Sequence, residues 1–171
     1  MKLFFRLIFL ILTQRFRSRC ALTDPVDTSL RVFPNDLDAL LHVNNGVYLT
    51  YADLGRTDLI LRANVFGPLK KQGWYPVAAG ISIEYRKSLT LGQRLSIRTQ
   101  VICWDDRSVY LDQVFTHGET LVARMLVDAR FLSRDGQRIS PEQLLLFLGL
   151  EQASPEMPQR VLSWIESRRQ T

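Results

Sequence analysis

Between residues 79 and 133 the chain alternates apolar and polar positions almost without a break. In "AGISIEYRKS", Ile81, Ile83 and Tyr85 alternate with Ser82, Glu84 and Arg86, and in "RLSIRTQVICW", Leu95, Ile97, Thr99, Val101 and Cys103 alternate with mostly polar residues. "SVYLDQVFTH" continues the series, and in "TLVARMLVDARFLS" Leu121, Ala123, Met125, Val127, Ala129 and Phe131 mark one face. Successive side chains of a strand point to opposite faces, so this period of two predicts half-buried antiparallel strands. The breaks between them, Leu91-Gly92, Asp105-Asp106-Arg107, Gly118 and Asp135-Gly136, are short and turn-like, which predicts direct hairpin connections.

A helical period governs the stretch from Gly46 to about Asn64. Tyr48, Ala52, Gly55, Leu59 and Ala63 fall on one face, and Val47, Tyr51, Leu54 and Leu61 form a second apolar face. A helix apolar on two sides is a buried helix, and the small Ala52 and Gly55 allow close approach to a sheet. "TSLRVFP", residues 28–34, reads as a first strand ending at Pro34, and "GPLKKQGWYP" as a turn-rich link. Two short helices close the chain. Ser140 is the expected N-cap of one, with Pro141 at its first position. The other runs from Pro158 to Arg168, with Val161, Leu162, Trp164 and Ile165 on its apolar side. This order predicts an α+β fold, an antiparallel sheet of five to six strands wrapped around one long buried helix. The expected organisation is an N-terminal amphipathic, membrane-leaning helix over 1–20, a central domain over 21–150 and a C-terminal helical extension over 151–171.

The first residues, "MKLFFRLIFLILTQRFRSR", change the picture of where such a domain works. A secretory signal needs a small-residue cleavage site after its apolar run, but Gln14, Arg15, Phe16 and Arg17 follow here. A spanning helix needs about twenty apolar residues, whereas Leu3 to Leu12 is shorter and Arg6 interrupts it. Lys2, Arg6, Thr13 and Arg17 recur at helical spacing, so a narrow polar stripe opposes a wide apolar arc. That pattern suits a helix lying in the headgroup region of a membrane surface; a helix packed on the protein itself, or on a partner subunit, has the same pattern. The expected location is cytoplasmic and peripheral on the membrane.

The composition of the 171 residues, 46% apolar and 23% charged, is that of a globular chain with a sizeable core. The net charge of +5 is concentrated near the ends, at Arg6, Arg15, Arg17, Arg19, Arg160, Arg168 and Arg169. No zinc-finger spacing and no basic helix with heptads is present, so nucleic acid is not an expected partner. Cys20 and Cys103 could pair, but two cysteines are no disulfide framework, and free thiols in a reducing compartment are the plainer reading.

The densest chemistry lies in "DLDALLHVNNGVY", residues 36–48, at the mouth of the long helix. Asp and Asn before a helix are often simple caps. Asp36, Asp38, His42, Val43, Asn44, Asn45 and Tyr48 nevertheless fall in register with a motif of the form Asp-x-Asp-x-x-Gly-His-Val-Asn-Asn-x-x-Tyr. In this respect the chain, over about residues 26 to 135, resembles the hotdog-fold acyl-CoA thioesterases of the 4-hydroxybenzoyl-CoA thioesterase type. Trp104-Asp105-Asp106-Arg107-Ser108-Val109-Tyr110 and the apolar N-terminus are most similar to the thioesterase superfamily member six branch. Leu41 stands where the motif has glycine, which puts a bulky side chain in a tight turn and bears on whether the loop still reacts.

The resemblance implies an acyl-CoA thioesterase that hydrolyses a fatty or aromatic acyl-CoA to the free acid and coenzyme A without metal or cofactor. Asp38 would act as nucleophile or general base, and the backbone N–H of Asn45 at the helix N-terminus would polarise the thioester carbonyl. His42, Asn44 and Tyr48 would shape the loop or contact substrate, and Arg86 and Lys87 would meet coenzyme A phosphates. Asp36 would hold the loop, and Asp53 and Asp58 are further carboxylates on the helix. A homodimer or tetramer is implied, with the site between two chains. The alternative is a non-catalytic acyl-CoA or lipid-binding hotdog protein acting at a membrane surface, which Leu41 favours.

Overall fold

In the computed structural model, residues 2–150 and 152–169 are described, together with the side chains from Phe4 onward; Met1, Glu151, Gln170 and Thr171, and the Lys2 member of the expected polar stripe, lie outside the described side chains. The chain forms helix α1 (Lys2–Thr13), strand β1 (Val26–Arg31), the long helix α2 (Asn45–Arg62), a short helix α3 (Phe66–Gln72) and four long strands. These are β2 (Tyr75–Tyr85), β3 (Arg94–Trp104), β4 (Val109–His117) and β5 (Thr120–Leu132). The two-residue β6 (Arg138–Ile139), α4 (Pro141–Phe147) and α5 (Gln159–Arg169) follow. All pairings are antiparallel, in the order β1-β3-β4-β5-β2, with β6 on the end of β5.

One face of the sheet curls around α2. Leu95, Ile97 and Val101 of β3, Leu111 and Phe115 of β4, and Ala123, Met125 and Val127 of β5 meet Tyr48, Tyr51, Ala52 and Leu59 of the helix in one buried cluster. The side-chain amide of Gln113 enters this layer with all its partners in place. Gln113, fully buried, donates from Nε2 to the Ala52 carbonyl of α2 (3.0 Å) and to Thr99 Oγ1 (2.9 Å), and its Oε1 accepts from Arg56 (2.6 Å). Buried amides of this kind are costly unless paired, so the network fixes the helix at one position on the sheet. The other face of the sheet is covered by α5, where Val161, Trp164 and Ile165 pack on Cys103, Tyr110 and Leu126.

Several expectations are corrected. The first strand starts two residues before Thr28 and ends at Arg31, because Pro34 opens a 3-10 turn over Pro34–Asp36. The link after α2 contains α3: Pro68 sits in its first turn, where a missing N–H costs nothing, and Gly73 closes it in the left-handed region (φ 70). β2 is half-buried only in part, with Ile83 packed against the core. None of its eleven residues is buried, and Tyr75, Ile81 and Tyr85 are exposed, because β2 is an edge strand with no neighbour on one side. Leu162 also points outward, leaving Val161, Trp164 and Ile165 to hold α5. Cys20 and Cys103 are both free thiols, as the plainer reading of the sequence expects. Asp105 acts as hairpin chemistry, with Oδ1 accepting the N–H groups of Arg107 and Ser108 (2.8 Å each) and Oδ2 the Tyr110 hydroxyl (2.8 Å).

Helix α1 packs on the protein. Leu7 and Leu10 lie against Leu54 and Leu61 of α2 and Leu30 of β1. Of the expected polar stripe, Arg6 of α1 meets Asp36 and Arg17, four residues past the helix, meets Asp58, each at 2.6 Å. The outward arc of Phe4, Phe5, Phe9, Leu12 and Phe16 is exposed. No described helix is long and apolar enough to cross a membrane.

Gly55 marks the closest approach of helix to sheet, since a Cβ there would stand 2.6 Å from Thr99 Oγ1 and 3.0 Å from Gln113 Nε2. Overpacking of this kind costs about 1–3 kcal/mol, against a helix-propensity gain of about 1 kcal/mol for alanine over glycine. Gly55→Ala is therefore expected to lower unfolding free energy by up to about 2 kcal/mol in urea denaturation; a stabilised variant would show that the helix does not sit this close.

Candidate active site

The loop between the 3-10 turn and α2 is a closed turn built around Asp38. Its Oδ1 accepts the N–H of Leu40 (2.8 Å) and of His42 (3.2 Å), its own N–H donates to the His42 carbonyl (2.8 Å), and its carbonyl accepts from Leu41 (3.1 Å). Asp38 Oδ2 accepts no hydrogen bond among the described residues, and the side chain is half-buried. One oxygen is thus fixed by backbone and the other is open to a ligand or water.

The turn needs a left-handed residue, and Leu41 supplies it at φ 60. This is the position where the motif has glycine. Leu41 does not fill the loop, because its side chain points to solvent at 69% exposure. Its cost is backbone strain of about 1–2 kcal/mol for a residue with a Cβ in this region.

The helix N-terminus follows directly. Asn44 is the N-cap of α2: its Oδ1 accepts the Gly46 N–H (2.9 Å) and its carbonyl accepts the Val47 N–H (2.9 Å). With those two donors satisfied, Asn45 N–H is the first donor of α2 left unpaired among the described residues. It lies at the positive end of an eighteen-residue helix. The Asn45 carbonyl accepts the hydroxyl of Tyr85 (3.1 Å), which ties the end of β2 to the start of α2.

The remaining candidates are dispersed. Tyr48 is buried at 2% exposure, in edge contact with Tyr51, Tyr85 and Phe115. Burial, with Tyr85 adding to it, pushes its hydroxyl up to about 12. His42 is exposed and bridges to Thr90. Arg86 and Lys87 are exposed just past β2, both donating their N–H to the Val122 carbonyl, and Arg86 pairs with Glu84 at 2.5 Å. Asp53 is paired with Arg56 on the surface of α2, and Asp58 is fully buried between Arg17 and the Thr28 hydroxyl (2.7 Å), away from the Asp38 loop.

Asp36 is a residue whose importance exceeds its expected role. It is 1% exposed, and its Oδ2 accepts from Arg6 (2.6 Å) and from the Phe33 N–H (2.9 Å). Burial alone would raise its pKa, but Arg6, the Phe33 N–H and the neighbouring Tyr51 hydroxyl outweigh it and hold the carboxyl below its ordinary value. Its ionised form therefore contributes stability that is present above about pH 4 and lost as pH falls through the depressed folded value. The partner, Arg6, lies thirty residues upstream, a pairing no local pattern signals.

A separate apolar cavity of about 300 Å³ lies between α2 and the sheet, walled by Leu59, Val101, Leu111, Val127, Phe131 and Leu144. Asp53, Arg56 and Thr57 of α2 and Pro76, Val77 and Ala78 of β2 also border it, but no residue of the 36–48 motif does.

An antiparallel sheet curled on one long helix, with an aspartate turn at the helix mouth, is the architecture of the hotdog thioesterases. Residues 32–165 match the thioesterase-like superfamily, and the chain belongs to that superfamily. It is 34% identical over 137 residues to Protein THEM6 of Xenopus laevis, an overlap covering 79% of this chain and 64% of the frog protein, so that it spans just under two thirds of that relative. It is 30% identical over 91 residues to the long-chain acyl-CoA thioesterase FadM of Escherichia coli, covering 53% of this chain and 69% of FadM. The crystal structure of YbaW, a probable thioesterase from Escherichia coli, superimposes with a TM-score of 0.66 at 26% identity, over 71% of this chain and 95% of YbaW.

Replacing Leu41 by glycine removes the strain and forfeits little contact, against a glycine entropy cost of about 0.5–1 kcal/mol. Leu41→Gly is expected to raise unfolding free energy by up to about 1 kcal/mol. A loss of stability in the same denaturation experiment would mean that the leucine side chain is holding the loop.

Proposed function

We propose that this protein is an acyl-CoA thioesterase in which Asp38 is the nucleophile or the general base for water and Asn45 N–H receives the developing oxyanion. The observation that carries this reading is the half-bound carboxylate of Asp38, with Oδ1 held by two backbone donors and Oδ2 open, directly before the unpaired N–H of α2. As nucleophile, Oδ2 attacks the thioester carbonyl and expels the coenzyme A thiolate, and water then cleaves the mixed anhydride. As base, Oδ2 takes a proton from water, which attacks instead. In either route negative charge builds on the carbonyl oxygen, and a preorganised N–H at a helix N-terminus stabilises it.

The acyl group requires apolar space, and the cavity between α2 and the sheet offers it at the small end of the range of about 300–1,000 Å³ for ligand sites. The first half of β2 lies beside the middle of α2, while its far end meets the start of α2 through Tyr85 and Asn45. A second copy paired antiparallel along β2 would therefore set its Asp38 loop against the Asp53–Thr57 border of this chain's cavity. The exposed edge strand supports such a homodimer, since an unpaired edge carrying Ile81 and Tyr85 is a liability unless covered. Arg86 and Lys87, just beyond β2, would then flank the path of the coenzyme A phosphates. The outward Phe and Leu side chains of α1, with Arg15 and Arg19 nearby, suit peripheral seating at a membrane interface. The printed substrate of FadM, a long-chain acyl-CoA, makes fatty acyl-CoA the first class to test.

In a thiol-release assay over an acyl-CoA chain-length series, Asp38→Asn is expected to lower kcat by at least about a hundredfold while acyl-CoA binding survives. Binding without turnover in the unaltered protein would identify a non-catalytic acyl-CoA-binding hotdog protein instead. Light scattering is expected to give a dimer or a multiple of it, and Ile81→Arg to shift the population toward monomer with loss of turnover; a fully active monomer would rule out a site shared between copies.

A further inference from the structure

Arg6 precedes the residues that match the superfamily, yet it reaches the loop that carries Asp38. Its guanidinium donates to both Asp36 carboxylate oxygens (2.6 and 3.4 Å) and to the Arg31 carbonyl (3.0 Å), and it lies over the rings of Phe33 and Tyr51 (5.1 and 5.0 Å). The two charged side chains are 11% and 1% exposed. From Asp36 the connection runs on through the backbone, since its carbonyl accepts the Asn44 N–H (3.0 Å) and Asn44 caps α2. The chain between Asp36 and Asn44 is the Asp38 turn. Its two ends are therefore clasped by Asp36, and Asp36 is held from outside by one cation.

We propose that Arg6 is a positioning residue for the Asp38 loop. Through Asp36 it fixes the distance between the Asp38 carboxylate and the start of α2, so that helix α1 is a working part of the site as well as a cover for α2. The catalytic consequence rests on the thioesterase reading above; the ordering of the loop does not.

The segment just after α1 carries an internal control. Arg17 pairs with the fully buried Asp58 at 2.6 Å, and Asp58 also accepts the Thr28 hydroxyl at 2.7 Å. That pair anchors the chain four residues past the end of α1, and its hydrogen bonds reach no residue between 36 and 45. Both pairs hold the N-terminal segment, and one alone reaches the loop.

The test compares, in the full chain, Arg6→Gln with the double variant Arg17→Gln/Asp58→Asn, which removes the second pair without stranding a buried charge. Hydrogen exchange is read at the Leu40, His42 and Asn44 amides, and kcat and KM on an acyl-CoA substrate. Arg6→Gln is expected to speed exchange at these amides by about tenfold or more and to lower kcat by about tenfold or more with KM changed less than about twofold. The double variant is expected to leave both loop exchange and kcat within about twofold. Arg6→Lys keeps the charge and loses the fork, and is expected to fall between Arg6→Gln and the unaltered protein; it carries the test if Arg6→Gln does not fold. Equal effects from the two pairs, or a loop indifferent to Arg6, would overturn the proposal. If the unaltered protein shows no turnover, the thioesterase reading falls, while selective loosening of the loop by Arg6→Gln still supports the positioning role.

Discussion

The buried carboxylate of Asp36 is the joint on which the Asp38 loop, the candidate site, depends. A carboxylate at 1% exposure is tolerated only when paired and hydrogen-bonded, and the partners of Asp36, two on its carboxylate and one on its main chain, come from three places. Arg6 arrives from α1, the Phe33 N–H from the end of the first strand segment, and the main chain of Asp36 receives the Asn44 N–H at the start of α2. The strand, the helix and the intervening turn are thereby drawn to one point. Asp38 inherits its geometry from this arrangement, because its turn spans the two ends that Asp36 holds.

The interior of the fold obeys a similar economy. Gly55 lets α2 approach β3 and β4 closely enough for Gln113 to reach the Ala52 carbonyl, and that one amide also satisfies Thr99 and Arg56. Apolar burial drives the helix onto the sheet, and the polar network decides where along the sheet it stops. The strained Leu41 survives in this setting because the turn around it is fixed at both ends and its side chain has room outside.

Much of this is legible in the sequence, for definite physical reasons. β3, β4 and β5 announce themselves because each buries one face, so alternation and burial coincide. α2 is readable because it is apolar on two sides, and α4 because Ser140 and Gln143 cap it reciprocally. β2 misleads: Ile81, Ile83 and Tyr85 alternate as a buried strand does, but the strand lies at an edge, where pattern alone cannot supply a neighbour. The Asp38 turn is legible through its motif, including the residue that must adopt positive φ. The inward pairing of Arg6 and Arg17 is not, because their partners Asp36 and Asp58 are distant in sequence and an amphipathic helix reads the same whether protein or lipid lies against it. The cavity walls are equally hidden, since they combine α2, four strands and α4.

Membership of the thioesterase-like superfamily and the hotdog architecture set the frame, and the proposed chemistry stands on a narrower claim. That claim is that an acyl chain enters the α2–sheet cavity and brings its carbonyl to the Asp38 loop of a second copy. The most direct measurement is a crystal structure with a non-hydrolysable thioether analogue of a fatty acyl-CoA. The account predicts an acyl chain lying against Leu59, Val101 and Leu111, with the atoms that replace the thioester within hydrogen-bond reach of Asp38 Oδ2 and Asn45 N–H across the β2 edge. An analogue bound elsewhere, or bound with its reactive end remote from Asp38 in both copies, would contradict it.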